Sequence, residues 1–252
     1  MKSSIEQHNI EIHSNKEKWE NKPLLRKIYL GFYQDIVRWL NLNDFGAVVE
    51  LGSGIGNFKM AYPSCITSDI FPNPWIDRVE SAYRLSFQNA AVSNLILFDV
   101  FHHLAFPGSA FEEFKRVLGD KGRVIIFDPY ISVLGLLVYG VFHHEPVALF
   151  KKINWMRDGK ADPDDTYYAA QGNATRVFSS GGGSSFEEEL TKDWNIMHRK
   201  KYSALAYVLS GGFSKPSLYP RALLPVLKRI EKILDLCPVL FATRTLIVLE
   251  KK

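Results

Sequence analysis

The chain predicts an open α/β fold in a single domain, with a mostly parallel sheet held between helices. Three observations support this. Short apolar runs ending in acidic or small residues alternate with segments of helical period. A glycine turn, L-G-S-G-I-G-N-F at residues 51–58, follows the first such run. With 252 residues and 46% hydrophobic content, the chain can bury one sizeable core.

The elements follow in order. Residues 24–40 place Leu24, Ile28, Phe32, Ile36, Val37 and Leu40 at helical spacing, giving an amphipathic helix that either packs on the sheet or lids a ligand site. Residues 48–50 form the first strand. After the glycine turn only residues 57–62 precede Pro63, so the first crossover helix is brief. Residues 65–70 read as a second strand ending at Asp69, and residues 76–81 as a short third. Residues 95–98 are a buried fourth strand, 111–118 a helix, 119–122 a turn and 124–128 a fifth strand. Residues 194–209 and 243–250 read as two long strands, with a helix over 222–236 between them. The run S-S-G-G-G-S-S at 179–185 reads as a surface loop rather than a phosphate cradle, since no strand closely precedes it.

Composition narrows the function classes. A net charge of +4 with the charges spread out gives no footprint for nucleic acid. Cys65 and Cys237 lie far apart without metal-ligand spacing, as expected in a reducing, cytoplasmic setting. The polar start through Glu20 has no apolar leader core. The uncharged run at 131–142 falls short of the ~20 residues a membrane span needs, which leaves peripheral membrane contact open.

In open α/β sheets, ligands bind beyond the carboxyl ends of the strands. Glu50, Asp69, Ser81, Asp99 and Asp128 occupy such ends. Glycine lets backbone approach a ligand closely, and an acidic strand end suits an ammonium or hydroxyl better than a phosphate. The pattern E-x-G-x-G-x-G from Glu50 to Gly56 lacks the third-glycine spacing of dinucleotide sites. It resembles motif I of class I S-adenosylmethionine (SAM) dependent methyltransferases. The segments A-Y-R-L-S-F, S-N-L-I-L-F-D-V-F-H-H-L and F-K-R-V-L-G-D-K-G-R-V-I-I-F-D-P resemble, in order, the middle of the type 11 group.

The resemblance implies a three-layer, Rossmann-like methyltransferase fold, with a seven-stranded sheet and an antiparallel C-terminal strand. It implies SAM as cofactor and S-adenosylhomocysteine (SAH) as product. The expected cofactor-binding residues are Glu50, Gly52, Ser53, Gly54, Gly56, Asp69, Ile70, Ser81, Ala82 and Asp99, with Asp69 on the ribose hydroxyls. Ser81 stands where the group usually has Asp, Ser86 replaces a Pro, and Asp120-Lys121 replaces Pro-Gly. Residues 143–146 (H-H-E-P), G-N-A at 172–174 and S-G-G-F-S at 210–214 are similar to a bacterial subset of these enzymes. The expected organisation is one domain: an N-terminal helical lid (1–45), a SAM-binding core (46–129), an acceptor-side cap (130–220) and a C-terminal helix and strand (221–252).

Methyl transfer needs alignment with the sulfonium methyl and an outlet for the acceptor's proton. His102, His103, His144 and Glu145 are the expected catalytic candidates, although either of the first two could simply pack or bond a loop. Tyr130 and Tyr139 could line the same cavity or belong to the core. No metal is expected, because adjacent His143, His144 and Glu145 chelate one ion poorly and spacing supplies no third partner. The expected function is methyl transfer to O or N of a small-molecule, glycan or lipid-like acceptor. The alternative is a non-catalytic SAM/SAH-binding scaffold.

Overall fold

The computed structural model describes residues 5–43, 46–141, 145–158, 168–178 and 184–252, with side chains from residue 10 onward. Helices α1 (Ile5–Asn21) and α2 (Pro23–Val37) lead into β1 (Ala47–Leu51). A 3-10 turn, Asn57–Met60, is all that separates the glycine turn from β2 (Ile66–Asp69), as the short spacing predicts. Next come β3 (Arg78–Val79), β4 (Val92–Phe98), a 3-10 turn at Phe101–His103, α3 (Pro107–Val117) and β5 (Leu118–Pro129). The remainder is α4 (Val133–Val141), α5 (Asn173–Val177), α6 (Ser185–Asp193), β6 (Trp194–Tyr202), α7 (Leu205–Leu209), α8 (Leu224–Leu234), α9 (Pro238–Phe241) and β7 (Arg244–Lys251).

Among the described residues the strands form one seven-stranded sheet in the order β3-β2-β1-β4-β5-β7-β6. The β1, β2, β3, β4 and β5 pairings are parallel, and β7 runs antiparallel to both β5 and β6. The order reverses between β1 and β4, so the loops after these two strands open onto one crevice. β4 is buried along its whole length, as expected for a central parallel strand covered on both faces.

Each face of the sheet carries its own core. On one, α2 buries Leu25, Ile28, Tyr29, Phe32, Tyr33 and Ile36 against Phe58, Phe98 and Phe127. Fully burying such a side chain contributes about 1.5–3 kcal/mol, so this stripe fixes α2 on the sheet rather than over the ligand crevice. On the other, Phe101, Phe111, Phe114 and Trp194 pack with Val124 and Ile126.

Two expectations change. The single strand expected over 194–209 is β6 followed by α7. Ala204 takes a left-handed φ of 44°, and carboxylates from the α8 region capture the freed amides: Asp235 accepts from Ser203 N at 2.7 Å and Glu231 from Ala206 N at 2.8 Å. The turn expected at 119–122 is an irregularity inside β5, because the register against β4 jumps from Val92↔Leu118 to Asn94↔Arg123. The apolar run at 131–142 yields α4. Among the described residues no helix is long and apolar enough to cross a membrane.

Candidate active site

The first half of the site hangs on β1 and β2. Gly52, Gly54 and Gly56 all have positive φ, at 63°, 55° and 69°. At Gly56 a Cβ would lie 2.4 Å from the Trp75 carbonyl oxygen, so only glycine fits. Ser53 pins the turn: its N–H donates to Ser68 O at 2.7 Å and its Oγ accepts from Ser68 N at 3.1 Å. Asp69 Oδ2 accepts from Gly54 N at 2.9 Å, so this carboxylate shapes the loop as well as facing the crevice. Ile70, next in sequence, leaves its side chain partly exposed.

Glu50 is buried, and its Oε2 has no hydrogen-bond partner. Burial raises its pKa to about 8; the Ser53 hydroxyl works against that rise and nearby Asp69 adds to it. An orphaned carboxylate oxygen beside a glycine cradle fits a ligand that brings a positive charge, such as the ammonium of an amino acid moiety.

The next strand end differs from its simple reading. Ser81 Oγ accepts from Tyr83 N at 3.2 Å in a local turn, with Ala82 between them. The neighbouring Glu80, which sequence reasoning passed over, is buried and accepts from Ser86 N at 2.7 Å and from the Ser86 hydroxyl. Ser86 therefore replaces the usual Pro with two donors, an N–H and a hydroxyl, neither of which proline has. Asp99 has a left-handed φ of 57°, and its carboxylate pairs with the guanidinium of buried Arg244 on β7. Burial lowers Arg244 to about 10.

The second half lies beyond β4 and β5. His102 and His103 sit on the 3-10 turn after β4, and Asp128 lies near the end of β5. His102 Nδ1 lies 2.9 Å from Asp128 Oδ1, and its Nε2 lies 3.4 Å from Glu145 Oε2. His103 Nδ1 donates to Tyr168 O at 2.9 Å, and its Nε2 lies 3.5 Å from Glu145 Oε1. The Gln171 amide also donates to Glu145.

Burial alone would depress His102, but the Asp128 and Glu145 carboxylates outweigh it and hold the imidazole up at about 9. Burial raises Asp128, with His102 opposing. The loop carrying Glu145 is tied in by backbone bonds: Ala170 N donates to His102 O at 2.9 Å, and Gln171 N to Pro146 O at 3.1 Å.

The fold thus gathers His102, His103 and Glu145, three of the four expected catalytic candidates. His144 lies outside the described residues, as do His143 and residues 179–183. Sequence reasoning missed Gln171 and the pairing of Arg244 with Asp99, and it left Asp128 without a role. Asp128 alone gave a signal, as the acidic residue ending a strand next to the histidines. Tyr139 belongs to the core, its hydroxyl donating to Thr243 O at 2.8 Å. The Gly211-Gly212 turn meets the start of α2 rather than the histidines, with Lys22 Nζ donating to Gly212 O at 2.6 Å.

Comparison with known proteins fits this arrangement. Residues 50–126 match the Methyltransf_11 family model, described as a methyltransferase domain. No curated protein matches the chain. Among solved structures, the chain is similar to a SAM-dependent methyltransferase from Archaeoglobus fulgidus (14% identity, 90% of this chain and 94% of that one, TM-score 0.50). It is also similar to a geranyl diphosphate methyltransferase in complex with SAM (10% identity, 88% and 85%, TM-score 0.51). A third similar structure is the geranyl diphosphate C-methyltransferase of Streptomyces coelicolor A3(2), solved with Mg2+, geranyl-S-thiolodiphosphate and SAH (10%, 88% and 76%, TM-score 0.50).

The sheet order and the glycine turn define a Rossmann-like methyltransferase fold. Residues 50–126 carry the type 11 methyltransferase domain within this fold, and the chain is an enzyme that uses SAM.

Proposed function

We propose that the enzyme transfers the methyl group of SAM to an oxygen or nitrogen of a small, partly apolar acceptor held against the His102–His103–Glu145 cluster. The convergence of these side chains after β4, the sheet neighbour of the β1 strand that leads into the glycine turn, is the observation behind this reading. In this reading Glu50 meets the SAM ammonium, Asp69 the ribose hydroxyls, and Ile70, Ser81 and Ala82 border the adenine. Gly52, Ser53, Gly54 and Gly56 supply the cradle. Asp99, held by Arg244, fixes the floor of the crevice rather than touching the donor.

The acceptor's lone pair attacks the methyl carbon, and the C–S bond breaks with its electron pair going to sulfur, leaving SAH. The acceptor's proton passes to the cluster, where Glu145 is the carboxylate between two imidazoles. Positioning in such a site is worth up to about 7–11 kcal/mol and general-base help about 10²- to 10⁴-fold.

Of the N-terminal residues, α1 serves as the lid of the donor crevice, while α2 packs on the sheet. The Ile12 side chain comes within 3.6 Å of where a Gly54 Cβ would lie, and His13 meets Trp75 edge-on at 4.9 Å. The segment after β5 that carries Glu145 and Gln171 serves as the acceptor-side cap, while β6 belongs to the sheet.

The exposed faces of α4 and of the α8–α9 segment favour a lipid-like or lipid-linked acceptor. Val133, Leu136, Leu137 and Val141 lie open on α4, and Ile233, Leu236 and Val239 lie open at the C-terminal end of α8 and on α9. Exposed Arg229 and Lys232 flank them, a pairing of apolar and basic groups that suits peripheral contact with an anionic membrane. The buried free thiol of Cys65 and the exposed one of Cys237 suit a reducing compartment, and we place the enzyme in the cytoplasm.

The test is incubation with methyl-labelled SAM and fractionated cell extract. Label in the lipid or small-metabolite fractions supports the reading. Label confined to tRNA would overturn it.

A further inference from the structure

We propose that His102, His103 and Glu145 bind one divalent transition-metal cation of the zinc class, through the two Nε2 atoms and the carboxylate. The inference rests on the reading of this cluster as the acceptor end of the site. Spacing along the chain gave no hint of it, because Glu145 lies beside two other histidines in sequence while the fold brings it to His102 and His103.

The distances suit such an ion. Both Nε2 to carboxylate separations are 3.4–3.5 Å, and one donor atom from each residue lies within 4.8 Å of the others. A tetrahedral zinc with bonds of about 2.0–2.1 Å sets its ligand atoms about 3.3 Å apart, which the two carboxylate separations already match, and the imidazoles would turn toward each other to complete the shell. Nitrogen and carboxylate donors together favour zinc, iron, cobalt or manganese over magnesium and calcium, which prefer all-oxygen shells.

The surroundings carry the argument further. A metal-ligating histidine ordinarily gives its other ring N–H to a carboxylate or a backbone carbonyl. Both histidines do so, His102 Nδ1 with Asp128 and His103 Nδ1 with Tyr168 O, each at 2.9 Å, which turns both Nε2 atoms toward Glu145. Glu145 is itself oriented by the Gln171 amide, and Gln171 Oε1 is buried with no hydrogen-bond partner. Among the described residues three side chains supply ligands, a catalytic zinc takes a fourth from water or substrate, and His103, at 30% side-chain exposure, marks the side from which an acceptor hydroxyl could reach it. With the cation in place, Glu145 is a ligand. The acceptor hydroxyl, acidified by the metal, then loses its proton to water.

The test uses the full chain, stripped with chelator and titrated with Zn2+ or Co2+ alone, with SAM binding measured in parallel by calorimetry. The expected result is one Zn2+ per chain by elemental analysis and visible d–d bands in the Co2+ form. His103→Gln and Glu145→Gln should weaken metal binding at least tenfold while SAM affinity and thermal melting stay near wild type. A wild-type chain that binds SAM but takes up no stoichiometric metal overturns the proposal, as do variants that bind metal equally well. Metal uptake by a chain that does not bind SAM would support the metal site and overturn the methyl-transfer reading of the cluster.

Discussion

His102 donates from Nδ1 to Asp128 across 2.9 Å, bridging the turn after β4 and the end of β5, and this bond decides which ring nitrogen faces Glu145. Fully buried behind His102, Asp128 acts through the imidazole as a positioning residue. Asp128→Asn keeps the shape but removes the charge that holds the imidazole up at about 9 and can present an N–H to Nδ1, so the ring can turn or lose its proton. Turnover should fall by about 10²- to 10⁴-fold, with SAM affinity nearly unchanged. Nitrogen-15 shifts of the His102 ring separate this from general loosening: an unaltered ring protonation together with unaltered turnover refutes the role.

The donor turn depends on Gly56. A methyl group there would strain a φ of 69° and strike the Trp75 carbonyl. Gly56→Ala should cost about 1–3 kcal/mol of stability and weaken SAM binding at least tenfold. Calorimetry and thermal melts check both; wild-type SAM affinity in the variant would show that the turn does not hold the donor.

With Glu50 on the SAM ammonium as proposed, SAM binding should depend on pH. Its folded pKa, about 8, is raised above the ordinary carboxylate value, so its stabilising effect is fully present below about pH 4.5 and is lost as pH rises toward 8. Each unit across that window costs the free enzyme about 1.4 kcal/mol at the limit. The ligand ammonium favours the ionised form, so SAM should bind more tightly as pH rises to about 8 and should release a proton near pH 7. Binding enthalpies in phosphate and Tris should therefore differ by the buffers' ionisation heats, and Glu50→Gln should remove the difference. Identical enthalpies for wild type in the two buffers would contradict the linkage.

β1 and β4 were readable because each holds a short apolar run, V-V at 48–49 and L-I-L-F at 95–98, followed by an acidic residue, and the polar β2 (I-T-S-D) was marked by its Asp69 after the glycine turn. The start of α7 was not, since its amides are held by Glu231 and Asp235 from a segment 25 or more residues downstream. The donor turn is local and lies open in the glycine pattern. The acceptor end is not local. Glu145 meets His102 and His103 only after the loop carrying it has paired with Gln171, and Asp99 meets an arginine 145 residues away. Periodicity and motif spacing carry no information at that range.

Ser86 offers a prediction that runs against family preference. The related pattern has Pro at this position, yet here Ser86 gives both its N–H and its hydroxyl to buried Glu80. Ser86→Pro would restore the family residue but remove both donors, leaving a buried carboxylate poorly satisfied. A buried acceptor stripped of its partner costs about 1–3 kcal/mol, more when charged. The variant should melt several degrees lower, and Glu80→Gln should recover part of the loss when added to it, because a neutral amide tolerates the poorer surroundings. A double-mutant cycle read by denaturant unfolding measures the coupling. Additive effects of the two substitutions would mean that Ser86 and Glu80 do not act as a pair.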